Sequence, residues 1–417
     1  MVERAVTIES QPDVQAVQRG ALMWVTSVPF RAWLVHAMLV FAAAAVAVSL
    51  SPGRDFARPP SSGFTRLLVT PLALWDGGWY QQIAAEGYAD QNAAAFFPLY
   101  PFLIGALSRL LHIPVDIAGV LLSNALFLGA LFLLHRLVRR SYDRSVADRA
   151  SWLLALCPVS FFFSAVYTES LFLALMLASI VAAREGRWTL TAVALLLTTF
   201  TRSAGVLVAT PLLIAAIDEF GWNARRLVRP LVQVGAACLA PLAFAVHLDR
   251  RWGDPLLMVR AQENWSRRFS WPWDTLWTGF RRTELTYINA RHTCLDMGSD
   301  GWWVSCRDAL RLNIDSLNDD LATLSVLVAL IVLIATGRKL VSGDLALAVV
   351  LTIFPLFSMR NDDPFASLPR YLLVVYPLFI GAALLLNRRR IYVGVLLLGA
   401  AGMVWLTTIF ARAWFVA

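Results

Sequence analysis

The chain is predicted to be an all-α integral membrane protein: a polytopic bundle of about 11 transmembrane helices with a juxtamembrane helix on its outer face and one long outer loop. Three observations predict this. Of its 417 residues, 58% are hydrophobic and only 15% are charged, which is more apolar surface than a soluble chain of this length can bury. Apolar runs recur from residue 31 to residue 411. Between them lie short arginine clusters of the kind that orient membrane helices.

The first 20 residues are polar and lack the short apolar core and small-residue cleavage site of a signal peptide, so residues 1–30 read as a cytoplasmic tail. Apolar runs follow at 31–50, 117–138, 149–164, 166–184, 187–200, 202–217, 227–248, 320–336, 343–358, 369–386 and 391–411. Several fall short of the ~20 residues that span a bilayer. A further run at 96–111 is interrupted early by Pro98 and Pro101, and whether it crosses decides the topology.

The basic clusters answer that question. They are Arg139, Arg140 and Arg144; Arg184 and Arg187; Arg225, Arg226 and Arg229; Arg338 and Lys339; and Arg388, Arg389 and Arg390. With 96–111 lying along the surface, all five clusters share the side of the N-terminal tail. If that run crosses, all five move outside. The positive-inside rule therefore favours a surface helix there, a cytoplasmic N-terminus and an outer C-terminus in a multi-pass plasma-membrane protein. The expected organisation is a tail 1–30, a transmembrane module 31–248 carrying the first outer loop 51–116, a tryptophan-rich outer loop 249–319, and C-terminal helices 320–417.

The net charge of +8 and a pI near 9.7 do not mark a nucleic-acid binder, because most of the arginines sit in those short clusters. Cys157 and Cys238 fall inside apolar runs as packing residues. Cys294 and Cys306 share the long polar loop, where a disulfide is an open alternative. The five histidines are scattered and have no metal-site spacing.

This topology gathers loop 51–116, the turn at 164–169, the turn at 201–202, loop 249–319 and loop 360–369 on one face. Asp76 stands out there, between Trp75, Trp79 and Tyr80. A carboxylate beside aromatic rings at a membrane boundary suits deprotonation of a sugar hydroxyl. The same residue also reads as a helix N-cap for 77–86, with the tryptophans as an interfacial belt. Glu86 is ten residues further on and reads as a solvated helix residue. Tyr167 and Glu169 follow a broken helix after Pro158, and Arg202 sits at equivalent depth. Arg202 either pairs with Glu169 or holds a lipid phosphate.

Nine of the sixteen tryptophans fall in two outer loops: Trp75, Trp79, Trp252, Trp265, Trp271, Trp273, Trp277, Trp302 and Trp303. That is more than a belt usually concentrates. Arg260, Gln262, Trp265, Arg267 and Arg268 form a second polar patch. Arg360 and Arg370, around Asp362-Asp363-Pro364, form a third. The arginines in both patches are alternatives between headgroup contact and substrate binding.

Four stretches, in order, resemble the PIG-V family of mannosyltransferases. They are Trp75-Asp76…Trp79-Tyr80…Gly87-Tyr88…Phe96-Phe97-Pro98-Leu99-Tyr100-Pro101, Pro158…Phe162-Phe163-Ser164-Ala165-Val166-Tyr167-Thr168-Glu169-Ser170, Thr201-Arg202-Ser203…Gly205, and Pro369-Arg370-Tyr371…Tyr376-Pro377. The resemblance implies a GT-C integral-membrane glycosyltransferase that takes mannose from a polyprenyl-phosphate donor to a lipid-linked or glycolipid acceptor on the non-cytoplasmic face. It maps the family's essential acid onto Asp76, acting by inverting single displacement. The Asp76-Gly77-Gly78 sequence is not a paired Asp-x-Asp, so a divalent metal is not indicated but stays an open alternative. The composition is similar to that of actinobacterial homologues. A GT-C transferase of another sugar, or one with a protein acceptor (O-mannosyl or arabinosyl transfer), remains open, as does a transporter or flippase. Against the last, the polar residues crowd one face while helix midpoints are apolar.

Overall fold

A computed structural model describes residues 25–50, 63–295, 314–361 and 363–414. The expected all-α architecture is what the chain adopts. The helices are α1 (Val28–Leu50), α2 (Phe64–Leu68), α3 (Asp76–Glu86), α4 (Leu99–Leu111), α5 (Val115–Ser141), α6 (Arg144–Ala155), α7 (Glu169–Arg184), α8 (Trp188–Thr199), α9 (Ala209–Phe220), α10 (Ala224–Ala237), α11 (Ala240–Trp252) and α12 (Leu257–Arg260). Strand β1 (Arg267–Phe269) and helices α13 (Pro272–Leu295), α14 (Ile314–Thr336) and α15 (Ser342–Ile353) come next. Strand β2 (Ser358–Arg360) then precedes α16 (Leu368–Leu373), α17 (Tyr376–Leu385) and α18 (Arg389–Ala411).

Six helical stretches among the described residues are long and apolar enough to cross a membrane: Val28–Leu50, Val115–Ser141, Ser203–Phe220, Ala224–Trp252, Leu317–Lys339 and Arg389–Ala411. Helix α7 lies at the centre, with most of its side chains buried, and packs along α5 and α8. Its two ends are tied separately. Glu169 stands at its start, and at its end Arg184 pairs at 2.6 Å with the buried Asp344 of α15. Tyr376 of α17 donates a hydrogen bond to the same Asp344 oxygen at 2.5 Å. Partners of this kind offset the cost of burying a charge.

Several predicted runs are broken rather than continuous. The run 149–164 becomes α6, a bend, and a 3-10 turn at Ser160–Phe163. Pro158 lacks the N–H that a continuing helix requires. Three buried serine hydroxyls along this bend are satisfied internally, as suits non-helical backbone at depth, which is tolerated only inside protein. Ser160 donates to the Ala155 carbonyl at 2.8 Å, Ser164 to Asn124 Oδ1 at 2.9 Å, and Ser170 to the Phe163 carbonyl at 2.7 Å. The runs 343–358 and 369–386 break in the same way. Pro355 sits in the 3-10 turn Phe354–Phe357, and Pro377 opens α17 after α16 has ended. The loop expected at 249–319 holds a helix of its own, α13, of 24 residues.

Helix α4 buries Tyr100, Pro101, Ile104 and Gly105 and exposes Phe102 and Leu110. At about 1.5 Å per residue it reaches about 20 Å, short of the ~30 Å of a hydrocarbon core. Strands β1 and β2 pair antiparallel, with Arg267 opposite Arg360 and Arg268 opposite Met359. This two-stranded ribbon joins the tryptophan-rich segment to the chain just after α15. Cys157 and Cys238 are free thiols. The side chains of Cys294 and Cys306, Trp302, Trp303 and Asp362 lie outside the described residues.

Candidate active site

The segment before Asp76 is fastened to the turn before α7. The Val166 N–H donates to the Leu72 carbonyl at 2.9 Å, and the Tyr167 hydroxyl to the Leu74 carbonyl at 3.2 Å. Gly77 lies against that same turn, where a Cβ would come within 3.3 Å of the Val166 carbonyl oxygen. Trp75 holds a positive φ of 57°, a region costly for a bulky residue. Helix α3 begins immediately after it. Gln81 closes the turn by donating to the Ala73 and Gly77 carbonyls at 2.9 and 2.7 Å.

Asp76 is therefore not the N-cap of α3. The cap position is Trp75, which makes no side-chain cap bond, and Asp76 is the first helical residue. Its carboxylate turns away to Arg370, with Oδ2 at 2.7 Å from Nη1. The Nε of Arg370 lies 3.2 Å from Glu169 Oε1, and Arg202 Nη2 lies 3.1 Å from that same oxygen. Thus Glu169 and Arg202 do pair, and Arg370 extends the pair to Asp76. The Glu169 side chain is fully buried and that of Arg370 is 7% exposed, while 21% of the Asp76 side chain remains accessible. Asp76 is the open end of a buried ion chain.

Three guanidiniums surround one ring. Arg202, Arg370 and Arg267 lie 5.3, 5.5 and 5.7 Å from the centre of the Tyr371 ring, a distance at which the π face attracts a cation. Arg267 also donates to the Ala366 carbonyl at 3.2 Å and to the Tyr371 hydroxyl at 3.3 Å. On the other side of Asp76, Trp79 stacks on Phe96 at 5.8 Å, and both meet Trp265 edge-on at 5.9 and 5.6 Å. Burial pushes the phenol of Tyr80 well above its ordinary range, with Arg202 pulling the other way. Tyr80 is thus a neutral phenol next to the charged chain.

These groups face one cavity of about 1370 Å3. Its charged lining is Arg202, Arg267, Arg282, Arg360 and Arg370 against only Asp76 and Asp363, so the space favours an anion. Leu351, Phe354, Val374 and Trp414 supply an apolar flank. Among the described residues, no three His, Cys, Asp or Glu side chains gather as a metal site.

Of the residues singled out from sequence, Trp75, Asp76, Trp79, Tyr80, Arg202, Gln262, Trp265, Arg267 and Arg370 line this cavity. Tyr167 and Glu169 lie behind its wall and are buried. Arg268 does not belong to it. Neighbouring residues of a strand point to opposite faces, and Arg268 turns out to an exposed hydrogen bond with Asn361 at 2.6 Å. Arg260 pairs with Asp254 at 3.0 Å on the surface, and Glu86 is exposed. Arg282, on α13, was not foreseen. It lines the cavity while pairing with Asp319 at 2.9 Å, and nothing in its local pattern marks it apart from other polar residues of that segment.

The fold and the cavity define a helical membrane protein whose arginine-rich pocket is also lined by the carboxylates of Asp76 and Asp363. Residues 34–240 match the family described as Mannosyltransferase (PIG-V), and by this match, over about half its length, the chain belongs to the PIG-V family. The curated GPI mannosyltransferase 2 of Drosophila pseudoobscura pseudoobscura is 31% identical over 114 residues, 25% of this chain and 25% of that protein. The match thus spans about a quarter of that relative's length. Among solved structures, the apo oligosaccharyltransferase of Archaeoglobus fulgidus superposes with a TM-score of 0.46 at 11% identity, over 94% of this chain and 56% of that one. ArnT from Cupriavidus metallidurans, bound to undecaprenyl phosphate, superposes with a TM-score of 0.39 at 16% identity, over 94% and 78%. These are loose likenesses. The Pro369-Arg370-Tyr371 motif lies beyond the family match.

Proposed function

We propose that the protein transfers mannose from a polyprenyl-phosphate-mannose donor to a lipid-linked or glycolipid acceptor on the non-cytoplasmic face of the membrane. The observation that carries this reading is Asp76, an accessible carboxylate at the edge of a cavity whose lining has five arginines and one apolar flank. The arginines suit a lipid phosphate, and the apolar flank suits the start of a prenyl chain. The ring cluster of Trp79, Phe96 and Trp265 suits the C–H face of a sugar.

In this reading Asp76 accepts the proton of the acceptor hydroxyl as its oxygen attacks the anomeric carbon. The lipid phosphate leaves from the opposite face, so the configuration inverts. Arg202, Arg267 and Arg370 stabilise the charge that grows on the phosphate, and one such contact is commonly worth about 10²–10³ in rate. Arg202 then serves two ends, as ion-pair partner of Glu169 and as phosphate ligand. The cytoplasmic N-terminus and the outer position of the cavity follow from the basic clusters. The family match favours mannose transfer over the other sugar and acceptor classes.

The test is label transfer from radiolabelled polyprenyl-phosphate-mannose in membranes, comparing wild type with Asp76→Asn. A general base contributes typically 10²–10⁴-fold, so the variant is expected to lose at least ~99% of the rate while keeping its elution profile. Near-wild-type transfer by the variant removes Asp76 as the base. No transfer by folded wild type overturns the donor.

A further inference from the structure

Glu169 does not reach the cavity, yet two arginines that line it share its Oε1 oxygen, Arg202 at 3.1 Å and Arg370 at 3.2 Å. Neither of its oxygens has hydrogen-bond geometry to a partner among the described residues, so both arginines hold it as ion pairs. Arg370 is gripped at two edges by different acids. Its Nε edge faces Glu169, which solvent does not touch, and its Nη1 faces Asp76, which the cavity does touch. Around it stand the rings of Tyr167, Tyr371 and Phe162, at 5.2, 5.5 and 5.6 Å. Glu169 thus sits behind the two arginines it pairs with, out of contact with the cavity.

We infer that Glu169 is a positioning residue. It anchors Arg370 by one edge so that the other edge follows negative charge from Asp76 to the leaving phosphate. The inference rests on Asp76 being the base. The balance of the transfer shows why such a device is useful. The bond between the acceptor oxygen and the anomeric carbon forms as the acceptor proton passes to Asp76. The bond between the anomeric carbon and the phosphate oxygen breaks, and its electron pair stays on the phosphate. Asp76 goes from one negative charge to none, and the phosphate from a singly charged diester to a doubly charged monoester. One unit of charge has moved across the cavity.

Arg370 touches the group that loses this charge and lines the space where the charge arrives. Hydrogen bonds to an ionised partner are roughly twice as strong as those to a neutral one, so its preference reverses as the reaction proceeds. The fixed charge of Glu169 keeps the guanidinium in place through that reversal, and the shared oxygen keeps Arg202 in register beside it. In the resting site Arg370 masks Asp76, and an arriving donor phosphate unmasks it.

Glu169→Gln removes the anchoring charge while conserving shape. The charged or titratable groups facing Asp76 are then Arg370 and Tyr371 from α16, Arg202, Tyr167 from the turn before α7, and Tyr80 on its own helix. With one anion fewer beside them, Arg370 and Arg202 act on Asp76 with their charge undivided. The experiment measures kcat for transfer from polyprenyl-phosphate-mannose against pH, using full-length purified protein. In Glu169→Gln, kcat is expected to fall at least tenfold and the acid limb of the profile to move to lower pH. An inactive protein fraction does not move that limb, so an unmoved limb overturns the inference. Glu169→Asp keeps the charge but retracts it by one methylene, so it tests the anchor where the glutamine variant does not fold. Its limb is expected to stay at the wild-type position with kcat reduced severalfold, and a wild-type kcat overturns the inference. Asp76→Asn measured alongside separates the two readings. If that variant is active, the base assignment itself fails. If it is inactive while the Glu169→Gln limb is unmoved, only the anchor fails.

Discussion

Replacing Arg370 by lysine tests the site at its most connected point. The guanidinium spans two acids at once, with Nη1 at 2.7 Å from Asp76 and Nε at 3.2 Å from Glu169. An ammonium keeps the positive charge but concentrates it at one nitrogen, so it satisfies one acid and leaves the other. Losing one hydrogen bond to a charged group costs about 1.5–3 kcal/mol. At about 1.4 kcal/mol per tenfold in rate, that is a roughly 10- to 150-fold decrease. Removing one contact to a developing oxyanion independently gives about 10²–10³. The ranges overlap near 10², and a fall in kcat of about 100-fold is the expected result. Arg370→Ala is a poorer probe, because an unpaired buried acid costs about 3–5 kcal/mol of stability and confounds the rate.

The assay is initial-rate transfer at saturating acceptor with labelled polyprenyl-phosphate-mannose, run on protein whose elution profile matches wild type. Activity within about threefold of wild type would refute the reasoning, since that amounts to less than about 0.7 kcal/mol and no bidentate role survives it. A large fall accompanied by loss of the elution peak would assign Arg370 to folding alone.

Two further predictions concern how the site is held and which way it faces. In Gly205→Ala the added Cβ would lie 2.6 Å from the Thr198 carbonyl oxygen and 2.7 Å from Thr199 Cα, both backbone atoms. A stability loss of roughly 1–3 kcal/mol is expected, seen as a lower melting temperature, with weaker transfer because Arg202 enters this turn; an unchanged melting temperature counts against it. Single cysteines placed at positions 139–145 in a cysteine-free background are expected to react with an impermeant reagent only from the cytoplasmic side, and labelling from outside would invert the topology.

Much of this architecture was legible because a bilayer leaves few choices. Backbone polar groups must be satisfied within the segment, so apolar runs separated by arginines translate directly into helices. At three of the breaks in the predicted runs a proline is close by. Pro158 and Pro355 lie just past the end of an α-helix and Pro377 in the first turn of the next one, in runs whose hydropathy does not dip. Arg267 and Arg268 show another limit. They differ only by the side of a three-residue strand on which they stand, and three residues are too few to display an alternation. Asp76 was conspicuous in its loop, but its partner lies 294 positions away, a separation about which periodicity is silent.

Charge balance around the site becomes visible only once the chain is folded. Asp76 and Glu169 face Arg202, Arg267 and Arg370 around Tyr371. Three cations against two anions leave this cluster one positive charge in excess. A lipid phosphodiester carries one negative charge, and its arrival makes the cluster neutral in a place where an unmatched charge is expensive. After transfer the phosphate carries two, and the neutralised Asp76 offsets the second. The same five side chains therefore suit both the donor and the departing phosphate without any of them leaving the site. A soluble anion of higher charge gains no such match. Under the proposed reading, the charge of these five side chains matches a singly charged diester, and the apolar flank formed by Leu351, Phe354 and Val374 suits a lipid.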